Sequence, residues 1–287
     1  MSTPQAGILL PLPPLARYLA FSLAPDSDVG AGLAALQGVV DGEHTVAGIG
    51  LPPLTALGKK VAGLKPFPPL SGPGVELPST PFALWLWLRG DDRGELLHRA
   101  RRIEQALAPV FQLEESWDAF KHAGGRDISG YEDGTENPVE EAAVAAAIAA
   151  DGSSFVAVQR WIHDFARFEA MQPEDRDDCI GRRRSDNEEL DDAPESAHVK
   201  RTAQESFSPE AFVVRRSMPW SEGRDAGLMF VAFGHSLDAF QAQMRRMVGL
   251  EDGIVDALFR FTRPLSGAYF WCPPMQDGKL ALAPFSL

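Results

Sequence analysis

The densest chemistry in the sequence lies in Gly130-Tyr131-Glu132-Asp133-Gly134-Thr135-Glu136-Asn137-Pro138. Glycines on both sides of an aspartate let the backbone turn tightly and come close to a ligand. A carboxylate held that way can take and return a proton. On spacing alone, an Asp-Gly turn closed by Asn-Pro accounts for the same residues. Two further places carry reactive types. His198 sits within Ser196-Ala197-His198-Val199-Lys200-Arg201, and Arg215 and Arg216 sit within Phe212-Val213-Val214-Arg215-Arg216-Ser217. A histidine can titrate near neutrality or bind a metal, and an arginine can steady a developing negative charge. Taken singly, each also reads as an ordinary surface or core residue.

The elements that must position these residues follow from periodicity. Ala6–Leu10, Arg17–Leu23, Thr45–Leu51, Phe82–Leu88, Phe155–Ile162, Phe212–Arg216 and Leu228–Phe233 read as strands. Asp28–Val40, Arg93–Phe111, Glu140–Ala150, Leu237–Val248 and Gly253–Phe259 read as helices. The Pro- and Gly-rich run 60–78 reads as a surface loop. Residues 121–138 hold too few apolar side chains for a core element, and the mixed charges of 173–195 read as an exposed helix-loop region. Each half then runs strand, helix, strands, helix, strand. That order suggests an α+β fold with antiparallel sheets flanked by helices, arranged as two ferredoxin-like units over 1–138 and 139–287. No repeat is visible between the halves at the level of residues.

Composition excludes several classes. The 27 Lys+Arg against 40 Asp+Glu give a net charge of -13, the opposite of the basic footprint of a nucleic-acid binder. Anionic membrane surfaces are disfavoured for the same reason, and no segment reaches the length of a membrane span. Cys179 and Cys272 match no metal-ligand spacing and read as two unpaired thiols. The first residues lack a basic region and a long apolar run, so a cytoplasmic protein without a secretory signal is expected.

Taken in order, the motifs resemble those of the dye-decolorizing peroxidases, most of all the compact bacterial B-type branch. Gly130 to Gly134 matches the family's GxxDG motif, extended by Ile128, Ser129, Thr135, Asn137 and Pro138. His198 stands where the family places its haem-binding histidine. Arg215 matches the distal arginine, with Arg216 the alternative. Ser217 stands where some relatives carry an asparagine two residues after the arginine. The stretch from Gly253 to Pro264, followed by Gly267 to Pro273, resembles the family's C-terminal segment. Within it, Asp256 matches a carboxylate that bonds the proximal histidine.

The resemblance implies haem b held in the C-terminal half, with His198 on the iron and Asp256 behind it. Asp133 and Arg215 would act on the peroxide side, with Gly134, Ser217 and Phe259 close to the cofactor. Phe230, Phe233, Met244, Leu258, Phe261 and Phe270 are further candidates for the apolar wall, and Lys200, Arg201 or Arg263 for the haem carboxylates. The implied reaction reduces hydrogen peroxide and oxidises small aromatic donors, dyes, phenols and manganese by one-electron steps, favoured at mildly acidic pH. Tyr131, Trp161, Trp220, Tyr269 and Trp271 are candidate electron relays for donors too large to enter. The remaining histidines, His44, His98, His122, His163 and His235, are read as structural. Alternatives are iron release from haem, chlorite conversion or a haem carrier, although a carrier has no need of an Asp and Arg pair. A homo-oligomer is expected. The short tail Leu282 to Leu287 favours a free enzyme over cargo of a protein shell.

Overall fold

The computed structural model describes residues 2–285; Ser286 and Leu287, the end of the short tail, lie outside the described residues. The chain completes one antiparallel sheet before starting the next. The first unit runs β1 (Leu15–Leu23), α1 (Val29–Val39), β2 (Thr45–Ile49), α2 (Leu51–Ala56), a hairpin of β3 (Leu70–Gly72) and β4 (Val75–Leu77), β5 (Leu84–Gly90), α3 (Arg93–Leu107) and β6 (Phe111–Phe120). The second runs α4 (Glu140–Ala147), β7 (Ser154–His163), α5 (Phe165–Ala170), α6 (Pro173–Ile180), α7 (His198–Arg201), β8 (Val214–Arg215), β9 (Met218–Glu222), β10 (Asp225–Gly234), α8 (Asp238–Met247), β11 (Thr262–Pro264) and β12 (Ala268–Cys272). This is the expected α+β arrangement of doubled ferredoxin-like units.

The four long strands of the first unit order as β2-β5-β1-β6, and those of the second as β12-β7-β10-β9. Two narrow seams join the sheets, Trp271 opposite Ile49 and Ala119 opposite Trp220. Because β7 also pairs with β10, the strands close into an eight-stranded barrel, which leaves few free edges. Alternation then sorts every strand into an inner and an outer face. In β5, Trp85 and Trp87 point inward with Tyr18, Val156, Phe233 and Phe270, while Leu84, Leu86 and Leu88 point outward beneath helices. Burial on both faces is why this strand reads as an unbroken apolar run.

Local signals set the helices. Asp28 and Asp92 cap α1 and α3 by accepting from Ala31 N and Glu95 N. In α8, Phe240, Met244 and Met247 form the buried stripe. Three expected elements differ. The surface loop expected over 60–78 holds the β3–β4 hairpin, and Phe67, Leu70 and Leu77 within it are buried. The strand expected at Ala6–Leu10 is a single 3-10 turn over Ala6–Ile8. Arg216 claims the carbonyls of Ile8 and Leu9 there, so they are not available to a ladder. The helix expected over Gly253–Phe259 is irregular chain followed by a 3-10 turn at Ala257–Arg260. Gly253 turns through a positive φ of 80°, and Asp256 restarts the turn by accepting from Leu258 N.

Candidate active site

On the outer face of the second sheet the helices do not close down on the strands. They leave a cavity of about 100 Å³. Gln159, Trp161 and His163 of β7 and Leu228 and Phe230 of β10 form one wall. Met244 and Met247 of α8, with Leu258 and Phe261, supply apolar cover. His198, Asp133 and Arg215 all reach this one space.

His198 opens the short helix α7, and Thr202 returns both its backbone N–H and its hydroxyl to the His198 carbonyl. Its ring Nδ1 lies 2.8 Å from Asp256 Oδ2. Asp256 is 1% exposed and its other oxygen accepts from Leu258 N at 2.8 Å. An ionised carboxylate can only accept, so Nδ1 carries the proton and Nε2 keeps a lone pair. No described residue bonds that Nε2. The ring is oriented from behind and left with one coordinating atom, as in histidines that hold a metal.

Across the cavity, Asp133 Oδ1 and Arg215 Nε lie 4.0 Å apart. Asn137 joins the elements that carry them. Its side-chain oxygen accepts from Arg215 N at 2.8 Å, and its amide donates to Arg215 O at 3.0 Å. The last part of the Gly130–Pro138 loop therefore pairs with β8 as a strand would. Gly130 is required on two counts. Its φ is 94°, and a Cβ there would lie 2.4 Å from the Arg184 guanidinium. Gly134 has φ 82°, and a Cβ would crowd the Asn137 amide at 2.8 Å. Arg216 faces away from the cavity, donating to the carbonyls of Ile8, Leu9 and Arg215. Burial, with Arg89 nearby, lowers its pKa to about 10. Gly134 lies at a neighbouring recess that shares Asp133, His198 and Arg215. Ser217 faces a small side cavity that also touches Asp127 and Asp133.

Several cavity residues escaped the sequence reading. His163, read as structural, lines the cavity and bonds Asp127 Oδ1 at 3.1 Å and Thr262 Oγ1 at 2.7 Å. Burial pushes the Asp127 carboxyl up, but His163 and two bonds from Ser129 outweigh it and hold it below the ordinary range. Gln159 is fully buried. Its oxygen accepts from Trp161 Nε1 at 3.2 Å, which leaves Nε2 without a partner. Tyr131 donates to Asp177 at 2.5 Å, and burial followed by that carboxylate raises its pKa. The period-2 alternation of β7 carried a signal for Gln159, Trp161 and His163, which must share one face.

Other candidates sit elsewhere. Phe233 and Phe270 fall on the inner face of the barrel by strand alternation. Phe259 turns to a groove beside β3 and β4 and tilts against Trp161. Arg201 is buried and held by both oxygens of Asp252 at 2.8 Å, Lys200 pairs with Glu195, and Arg263 lies in the outer groove. None of the three lines the cavity. Of the proposed relays, Tyr131 and Trp161 line the cavity, whereas Trp220, Tyr269 and Trp271 are buried away from it.

A family model described as Dyp-type peroxidase, C-terminal, matches residues 124–277. The dye-decolorizing peroxidase of Mycobacterium tuberculosis is 28% identical over 291 residues, covering 93% of this chain and 87% of that protein. A putative dyp-type peroxidase of Shewanella oneidensis superposes with a TM-score of 0.88 at 26% identity, covering 96% of this chain and 97% of that one. A DypB variant of Rhodococcus jostii RHA1, solved in complex with heme, gives a TM-score of 0.86 at 26% identity over the same shares of the two chains. Among the described residues, no helix is long and apolar enough to cross a membrane.

Proposed function

This chain belongs to the Dyp-type peroxidase family, and from that premise we propose that it binds haem b in the outer cavity and reduces hydrogen peroxide there. The cavity fits such a group on three observations. His198 offers a free Nε2 oriented by Asp256. Gln159 and Arg215 line the same space, and the buried Gln159 Nε2 and Arg215 Nε have no hydrogen-bond partner. The walls between them are apolar, with Leu228, Phe230, Met244, Met247, Leu258 and Phe261. Buried donors without acceptors are costly unless something supplies the acceptor.

His198 would hold the iron through Nε2, and Arg215 and Gln159 would meet polar atoms of the occupant. When bound, haem supplies the iron that accepts the oxidising equivalents of peroxide and passes them on one electron at a time. The remaining work falls to side chains. Asp133 takes a proton from one peroxide oxygen and returns it to the departing one, which leaves as water. Arg215 steadies the negative charge that grows on the departing oxygen. Asp256 fixes the His198 tautomer and makes the ring a stronger electron donor. Dyes, phenols and manganese are the proposed electron donors. The proposed form is a cytoplasmic homo-oligomer built of units 1–138 and 139–287, with loop 121–138 lent to the site of the second.

The observation that carries this reading is the placement of His198–Asp256 and Asp133–Arg215 around one cavity. The test is the visible spectrum of the haem-supplied protein, before and after peroxide, for wild type and His198→Ala. A Soret band that responds to peroxide within seconds and is lost or badly perturbed in the variant supports it. Haem binding indifferent to His198 overturns it.

A further inference from the structure

The cavity holds a second charged pair that the peroxide chemistry above does not use. Asp127 begins the turn from which Asp133 hangs. Its backbone N–H donates to Tyr131 O, its carbonyl accepts from Gly130 N, and its Oδ2 accepts from both the N–H and the hydroxyl of Ser129. Two residues past Tyr131, Asp133 N donates to Gly125 O at 3.3 Å. The turn is thus folded around the Asp127 carboxylate. Its other oxygen is the tie to the sheet, through His163 of β7.

The neighbours of that ring suit a donor at each nitrogen. The Thr262 hydroxyl has one proton, and it donates to the Ile162 carbonyl at 2.9 Å. Toward His163 Nδ1, 2.7 Å away, it is left as an acceptor. The Asp127 carboxylate accepts at Nε2. Both ring nitrogens therefore donate, which requires two protons. The ring is 5% exposed and covered edge-on by Phe165 and Phe261, so water competes little for either bond.

We infer that His163 is a positioning residue for Asp133: as a buried imidazolium it anchors Asp127 to the sheet and so sets where the loop presents the Asp133 carboxylate. This role rests on the peroxidase reading, because it acts through Asp133. The geometry also explains why two acids can share one side cavity of about 10 Å³, close to the room one water needs. Asp127 is neutralised by His163, which leaves Asp133 to answer to Arg215. The other charged groups near the turn are Arg126 and Glu132, paired with each other, Arg184 and Asp177 beside Gly130 and Tyr131, and Lys121 and His122 across the side cavity.

The test has two parts. Ring-nitrogen NMR of the full chain, labelled with ¹⁵N-histidine before haem is added, reads the state of His163 directly. We expect both nitrogens protonated at neutral pH, and one proton lost in Asp127→Asn. In the haem-loaded protein, His163→Gln should bind haem with an unchanged spectrum. Its rate of reaction with peroxide should nevertheless fall between roughly tenfold and a hundredfold, as misplacement of a reacting group does. Pairing it with Asp127→Asn, two neutral amides, should lose less than the two single losses combined. A neutral His163 in the wild type overturns the inference, and so does a charged ring whose loss leaves the peroxide rate unchanged. Failure of the wild type to bind haem would overturn the peroxidase reading instead, and the ring-nitrogen spectrum separates the two failures.

Discussion

Replacing Asp256 by asparagine exchanges one oxygen for NH₂ and should reverse the tautomer of His198. The Asp256 carboxylate accepts twice, from His198 Nδ1 and from Leu258 N, each at 2.8 Å. An asparagine side chain has one oxygen and one NH₂. The Leu258 donor is backbone and cannot change, so the oxygen stays with it and the NH₂ faces His198. The ring must then accept at Nδ1 and carry its proton on Nε2, the atom that faces the cavity. A protonated Nε2 has no lone pair to give. Disturbing a partner behind a metal-binding histidine weakens binding roughly 10- to 100-fold, or about 1.4 to 2.7 kcal/mol. The fold should suffer less, because the Leu258 bond survives and the exchanged side chain keeps its volume. One perturbed hydrogen bond costs about 1 kcal/mol. The assay is a haem titration followed at the Soret band, with urea unfolding of the haem-free chain as the control. Affinity and band position unchanged from wild type would refute the reasoning, since the tautomer would then not be set by Asp256.

Arg215→Leu and Asp133→Asn should each retain haem but react with peroxide more slowly, on the order of 10²- to 10³-fold, which stopped-flow spectra would measure. Asp127→Asn should destabilise the protein near neutrality but cost progressively less on acidification. The folded carboxyl titrates below its ordinary value near about 4, so its stabilisation is present above that value and is lost as pH falls through the lower folded one. Urea unfolding of both proteins at pH about 7 and about 3 reads this, and a gap that stays constant counts against it. Cys179 and Cys272 are at most 1% exposed, and burial raises both thiols, so neither should react with a thiol reagent until the chain unfolds.

The legible parts of the fold were those in which one short stretch carries the whole signal. The apolar runs Arg17–Leu23 and Phe155–Ile162 and the helical spacing of Asp28–Val40 and Arg93–Phe111 are local, and each matches an element here. Ala6–Leu10 misled because an apolar pentad says nothing of where its carbonyls find donors, and Arg216 supplies them from 208 residues away. The site divides the same way. Asp133, His198 and Arg215 stand in recognisable phrases, but the tie between Asp127 and His163 spans 36 residues and exists only once β7 passes the loop. Arg215 and Arg216 could not be separated by their neighbours in sequence. They separate because alternation in an extended segment sends them to opposite faces.

The same alternation explains why a cavity opens on one half of a doubled fold. In the first unit the outer face of the sheet carries Leu19, Phe21, Leu84, Leu86 and Leu88, and α1 and α3 bring Leu33, Leu36, Leu96 and Ile103 down onto it. That contact is mostly apolar, so the space fills. In the second unit β7 turns Gln159 and His163 outward beside Trp161. A helix packed directly on those strands would bury an amide and an imidazole against hydrocarbon. The ten-residue α8 covers only part of the face, and the rest is bordered by the Asp127–Asp133 turn, α7 and β8. Each of these segments brings one reactive group: Asp133 on the turn, His198 on α7, Arg215 on β8. Polar residues on the outer face of one strand thus exclude a second close-packed layer, and the segments that border the gap are the ones that carry the chemistry.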